Sequence, residues 1–175
     1  GKPFAYHVYG AALVEASIDV LRGTCTIDRV TIVHDIGESI DQSVDIGQIE
    51  GALAQGLGWA LLEDLRFEPN GKPISDTLST YKVPDIGFMP PGIDIEFLPG
   101  IDNPFAPYNS KAVGEPPLQY GIAGYFAVLE AIRAATGKAL EYYDLPLIPE
   151  KITKLLVLEQ DNNKRATANR IRTKA

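Results

Sequence analysis

The sequence predicts an α+β fold: a mixed β-sheet led by an N-terminal hairpin, two principal glycine-rich helices and a short C-terminal helix. Three observations predict it. An alternating apolar run near the N-terminus is followed by a β-branched run, two later stretches place apolar residues three and four apart, and a Gly- and Pro-rich segment separates those stretches.

The first element runs from His7 to Val20. Val8, Gly10, Ala12, Val14, Ala16, Ile18 and Val20 fall on one face, while Glu15, Ser17 and Asp19 point the other way, so a strand with one buried face is expected. Arg22-Gly23 interrupts the pattern, and Thr24 to His34 is rich in β-branched residues, which together read as a hairpin. Asp35 to Asp45 holds turn formers without a period. Ile46 to Leu65 then carries Ile46, Ile49, Leu53, Leu57, Ala60, Leu61 and Leu65 at helical spacing, with Asp45 as the expected N-cap.

From Phe67 to Pro107 the chain is broken by Gly and Pro, with short strands expected at 80–83 and 93–98 and a surface loop from Gly100 to Asn109. The second helix follows Pro116-Pro117, whose missing N–H groups suit a first turn. Its stripe is Leu118, Ile122, Tyr125, Phe126, Leu129 and Ile132, and Gly137 closes it. A third helix is expected from Pro149 through Leu158. Residues 1–158 are expected to form one domain, and 159–175 a basic, disordered tail carrying Lys164, Arg165, Arg170, Arg172 and Lys174.

Composition excludes several classes of function. The chain has 175 residues, 45% hydrophobic and 22% charged, with a formal net charge of −7. That size and balance support a real core, and the acidity argues against nucleic acid as the main partner. A single cysteine, Cys25, excludes an internal disulfide framework and a self-contained iron–sulfur or Cys-rich zinc site. No apolar run approaches a membrane span, and Gly1-Lys2-Pro3-Phe4 is not a signal peptide, so no membrane and a cytoplasmic location are expected.

Two local patterns could carry chemistry. Glycine at 47, 51, 56 and 58 costs a helix about 1 kcal/mol each against alanine, so a backbone or a bulky ligand is expected to come close. Gln48, Ala52, Gln55 and Trp59 share a face there, as ligand contacts or as the rim of helix–helix packing. Glu115 sits between Gly114 and a double proline at the mouth of a helix. Pro116 is expected to hold it extended, which would suit a positioned general base. A helix N-terminal acid complementing the macrodipole is the alternative. His7 and His34 read as strand residues, Tyr81 and Lys82 as structural, and Cys25 as a buried strand thiol. No metal-ligating set is expected.

The segment Ser110 to Leu118, SKAVGEPPL, resembles the C-terminal molybdenum-binding region of the xanthine dehydrogenase and aldehyde oxidase family of molybdenum hydroxylases. So does Asp45 to Gly58, DIGQIEGALAQGLG. The opening PFAYHVYGAA, HDIG, STYKVP and DLPLIPEKI continue the resemblance in order over about residues 1–158. GEPP is nearest the xanthine dehydrogenase branch.

The resemblance implies a molybdenum centre on molybdopterin, a dinucleotide form included. In the family a glutamate of the GEPP motif deprotonates the Mo–OH, which attacks an electron-poor carbon of a purine or other heterocycle. Hydride passes to the sulfido ligand, and electrons leave through the pterin to [2Fe–2S] clusters and then FAD. By motif position Glu115 matches the base and Gln48, beside Gly47, the pterin-binding glutamine; Ala112, Val113 and Gly114 would line the metal's surroundings. Lys111 would orient the loop or meet an anion. Gln55 reads as helix packing.

Family molybdenum subunits run to several hundred residues, so the chain is expected to be inactive alone, as a split subunit or a truncated piece. The implied partners are the remaining half of the molybdenum subunit, iron–sulfur and FAD modules, and a small heterocyclic substrate, in an oligomer. A large exposed apolar patch should mark the missing half. A non-catalytic scaffold or ligand-binding domain, or an aldehyde oxidase-like specificity, is the alternative.

Overall fold

The computed structural model describes residues 1, 3–138 and 140–157. Strand β1 (Gly10–Asp19) and strand β2 (Thr24–His34) form the antiparallel hairpin, with Gly10 opposite His34 and Asp19 opposite Thr24. The Asp19 carboxylate accepts from the Leu21 and Arg22 amides at the turn, and Gly23 turns with φ +67°. The register slips between Glu15 and Ala16, whose partners are Arg29 and Ile27, so Asp28 is the extra residue of a bulge.

Helix α1 (Gln42–Leu61) begins four residues earlier than the apolar period suggests. Asp41, rather than Asp45, is its N-cap and accepts from the Ser43 and Val44 amides at 3.0 and 3.2 Å. Asp45 lies in the first turn and accepts from Ser39 Oγ at 2.6 Å. The expected C-terminal extension to Leu65 is absent, because Gly58 O accepts from both the Leu62 and Glu63 amides and ends the helix.

Strand β3 (Ile93–Phe97) pairs parallel with β2, giving a mixed sheet ordered β1-β2-β3. Residues 80–83 are not a strand. The Thr80 and Tyr81 amides both turn back onto Thr77 O, and the Tyr81 hydroxyl is spent on Glu63. A 3₁₀ turn (Pro116–Tyr120) leads into helix α2 (Gly121–Thr136), which ends at Gly137 with φ +76°. Residues 149–157 form helix α3. The expectations for Leu158 and the tail 159–175 lie outside the described residues.

Helix α2 packs on β1 and on α1, and the core is built where they meet the sheet. Ile27, Val30 and Ile32 of β2, Ile49, Leu53, Leu57 and Leu61 of α1, and Val128, Leu129 and Ile132 of α2 are buried together. Leu147 and Ile152 close its end, with Leu147 donating its amide to Ala60 O at 2.8 Å. The glycines divide into two groups. A methyl on Gly56 would overlap Leu118 O and one on Gly121 the Gly56 backbone, so the two chains touch there; Gly47 and Gly51 face open space. Cys25 is half-buried rather than buried, and that burial pushes its thiol up.

Candidate functional site

Strand β2 ends at His34 and runs on into Asp35-Ile36-Gly37, and this corner carries the 110–120 segment. The Asp35 carboxylate, fully buried, meets Lys111 Nζ at 2.6 Å. A charge pair this enclosed is held by its geometry. Asp35 also accepts from the Gly37 amide at 3.0 Å, and Lys111 Nζ lies 5.7 Å from the Tyr9 ring centre. The Lys111 amide donates to Ile36 O at 2.8 Å, and Gly37 bridges Ser110 in antiparallel fashion. Gly37 turns with φ +63°, leaving no room for a side chain against Asn109 O. The buried Asn103 side chain donates to Ser110 O at 2.7 Å.

His34 holds the other side of the segment. Its Nδ1 lies 2.5 Å from the Tyr120 hydroxyl, and the two rings meet edge to face. Burial pushes the His34 imidazole below its usual value, against the opposing pull of Asp35 and of the Ala112 backbone. Burial, then Asp35, pushes Tyr120 up to about 12. Gly10 faces this pair across the hairpin, where a methyl would overlap the Tyr120 hydroxyl.

Between the two anchors stand Ala112, Val113, Gly114 and Glu115. Ala112 is exposed and its amide donates to the Tyr6 hydroxyl at 3.1 Å, while Val113 packs half-buried against the core. Glu115 is exposed and adopts φ −109°, ψ −43°, not the extended backbone expected before proline. Its carbonyl accepts from the Leu118 amide at 3.1 Å, and starting that turn requires the helical region. The Glu115 side chain makes no capping bond: Pro116 and Pro117 have no N–H to donate, and the Leu118 amide is spent on the Glu115 carbonyl. A carboxylate so placed is free to exchange a proton with a ligand.

The structure brings Gln48 to this segment. A Cβ on Gly114 would lie 2.9 Å from Gln48 Oε1, so the missing side chain leaves a notch against the loop backbone that the Gln48 amide oxygen fills. Gly47 is not part of it. It lines a cleft of about 540 Å³ with Glu50, Gly51, Ala54 and Met89, none of them from the 110–118 segment. Gln55 is exposed rather than packed, in a groove of about 410 Å³ with Trp59, Glu63 and Leu118. Sequence reasoning missed His34, Asp35 and Tyr120 as a connected group. The available signal was an Asp next to a His at the end of a β-branched strand, where a buried charge requires a partner.

The exposed Gln48 amide beside the bare Gly114 backbone could meet a flat polar heterocycle. Gln48 offers donors and an acceptor, and Gly114 permits backbone approach. Among the described residues no three His, Cys, Asp or Glu side chains converge as metal ligands. No helix among the described residues is long and apolar enough to cross a membrane.

Sequence and fold are both similar to those of known proteins. The sequence model of the molybdopterin cofactor-binding domain family matches residues 1–90. Xanthine dehydrogenase/oxidase of Rattus norvegicus is 43% identical over 158 residues, which cover 87% of this chain and 12% of that protein. Aldehyde oxidase 1 of Bos taurus is 41% identical over 156 residues, with the same coverage. Among solved structures, the aldehyde oxidoreductase from Desulfovibrio gigas superposes with a TM-score of 0.73 at 38% identity, covering 89% of this chain and 16% of that one. The chain thus spans about an eighth of the length of the curated relatives it matches. It belongs to the xanthine dehydrogenase/aldehyde oxidase family of molybdenum hydroxylases and carries part of the region that binds their molybdopterin cofactor.

Proposed function

We propose that this chain supplies the general base and a set of pterin contacts for hydroxylation of an electron-poor heterocyclic carbon, with a purine as substrate. The observation that carries the reading is the apposition of Gln48 and Gly114 beside an uncapped Glu115. When bound, the molybdenum–pterin group supplies the oxygen-transfer and two-electron chemistry. The Glu115 carboxylate accepts a proton at an oxygen free of other hydrogen bonds. The Gln48 amide hydrogen-bonds the edge of the pterin, and Ala112, Val113 and Gly114 line the space beside it through their backbone.

Several further parts follow from the same reading. Substrate recognition, [2Fe–2S] clusters and FAD belong to other chains or segments, and the working form is a cytoplasmic oligomer. The many exposed large side chains fit a surface that packs on the remaining part of a molybdenum subunit; Ile86, Leu78, Phe105 and Tyr108 are each more than 70% exposed. The purine assignment is supported by GEPP and by 43% identity to xanthine dehydrogenases from Rattus norvegicus and Dictyostelium discoideum.

The test is metal and pterin analysis of the chain purified with its copurifying partners, and of Glu115→Gln in the same assembly. Molybdenum and pterin in the assembly, with turnover abolished and loading kept in the variant, support the reading. Absence of both from the assembly, or full turnover by Glu115→Gln, overturns it. Turnover of aldehydes but not of hypoxanthine or xanthine overturns the purine assignment alone.

A further inference from the structure

We propose that His34 and Asp35 are positioning residues for Glu115, holding the two sides of its loop from two consecutive places at the end of β2. The inference rests on the reading of Glu115 as the base. Lys111, four residues before Glu115, is tied to Asp35 through a buried ion pair of 2.6 Å. Tyr120, five residues after it, is tied to His34 Nδ1 at 2.5 Å. Glu115 itself makes no capping bond, and its carboxylate is exposed, so its place depends on where these two ends are fixed. His34 is the last residue of β2 and Asp35 the next in the chain, so one peptide unit sets the separation of the anchors.

The geometry around each anchor excludes slack. Gly37 allows the Asn109 carbonyl to approach, and the Lys111 amide is bonded to Ile36 O beside the ion pair. Gly10 leaves the space that the Tyr120 hydroxyl fills on reaching His34. Gly121, next to Tyr120, presses on the Gly56 backbone and fixes the 3₁₀ turn against α1, the helix that carries Gln48. The base and the pterin-binding amide are therefore referenced to one rigid corner. A general base works only within hydrogen-bond reach of the proton it takes, and small misplacements cost large factors in rate.

The experiment uses the molybdenum-loaded assembly and the variants Tyr120→Phe, His34→Ala, His34→Asn and Glu115→Gln. Tyr120→Phe removes one hydroxyl and preserves the ring. His34→Asn keeps an amide near the place of Nδ1. The readouts are kcat and KM, molybdenum and pterin content, and amide hydrogen exchange of peptides spanning 110–121. Tyr120→Phe and His34→Ala should lower kcat about tenfold at unchanged KM and cofactor content, on the scale of a modest misplacement. Exchange at Lys111, Ala112 and Leu118 should quicken by a similar factor, and His34→Asn should restore both. Loss of turnover in Glu115→Gln with unchanged kcat and exchange in Tyr120→Phe overturns the positioning alone. Full turnover by Glu115→Gln overturns the base reading and this proposal with it.

Discussion

Gln48 Oε1 stands 2.9 Å from the point that a Cβ on Gly114 would occupy, so the amide rests where an alanine side chain would press on it. Gly114→Ala should push the Gln48 amide out of the notch while leaving the core untouched. The expected result is pterin retention weakened by about tenfold, the value of one hydrogen bond of about 1.4 kcal/mol, with an unchanged unfolding midpoint. Pterin content after gel filtration and a urea titration check the two halves. Gln48→Ala should lose pterin to a similar degree.

The helix glycines should respond in opposite directions. Gly56→Ala and Gly121→Ala place a methyl on facing backbone and should each destabilise the chain by about 3 kcal/mol or more, as overpacking of a close contact does. Gly47→Ala and Gly51→Ala meet open space and should stabilise α1 by about 0.5–1 kcal/mol. Urea midpoints of the four variants decide it.

The buried Asp35–Lys111 pair should be far costlier to halve than to remove. Lys111→Met leaves a buried carboxylate without its cation and should destabilise by about 3–5 kcal/mol. Asp35→Asn with Lys111→Met should recover most of that loss, since neither charge is left alone. A double-mutant cycle by chemical denaturation measures the coupling.

Two pH limits follow from burial. The folded His34 value is lowered from 6.5, so the unfolded chain binds more protons below about pH 6.5, and stability falls as pH drops through that window. His34→Asn should flatten the slope below about pH 6.5. At the other extreme Tyr120 and Tyr125 are raised to about 12, so their contribution is present below pH 10 and is lost as pH rises towards 12. Tyr120→Phe should weaken that alkaline loss. Unfolding midpoints against pH test both.

The elements that were legible in the sequence carry their period openly. Thr24 to His34 is rich in β-branched residues, and the strand occupies those residues. The start of α1 was not legible, because Val44 is exposed and the first turn carries no apolar stripe; Asp41 declares itself only through its hydrogen bonds. Thr80 to Val83 has strand-like composition, yet no neighbouring strand offers it a ladder, and it turns onto Thr77 instead. At the site, Glu115 and Gln48 were visible as motif residues, and only coordinates join Gln48 to Gly114. The anchors were hidden because Asp35 and Lys111 lie far apart in the chain, and sequence spacing says nothing of a pair closed by tertiary folding.

The parallel pairing of β2 with β3 encloses everything from Asp35 to Gly92, and α1 lies inside that excursion. Its apolar residues Leu53, Leu57 and Leu61 are covered by α2 and Leu147, all of which leave the ribosome later. During synthesis α1 therefore carries an uncovered apolar face until residues 121–148 follow, the condition under which partly made chains aggregate or engage chaperones.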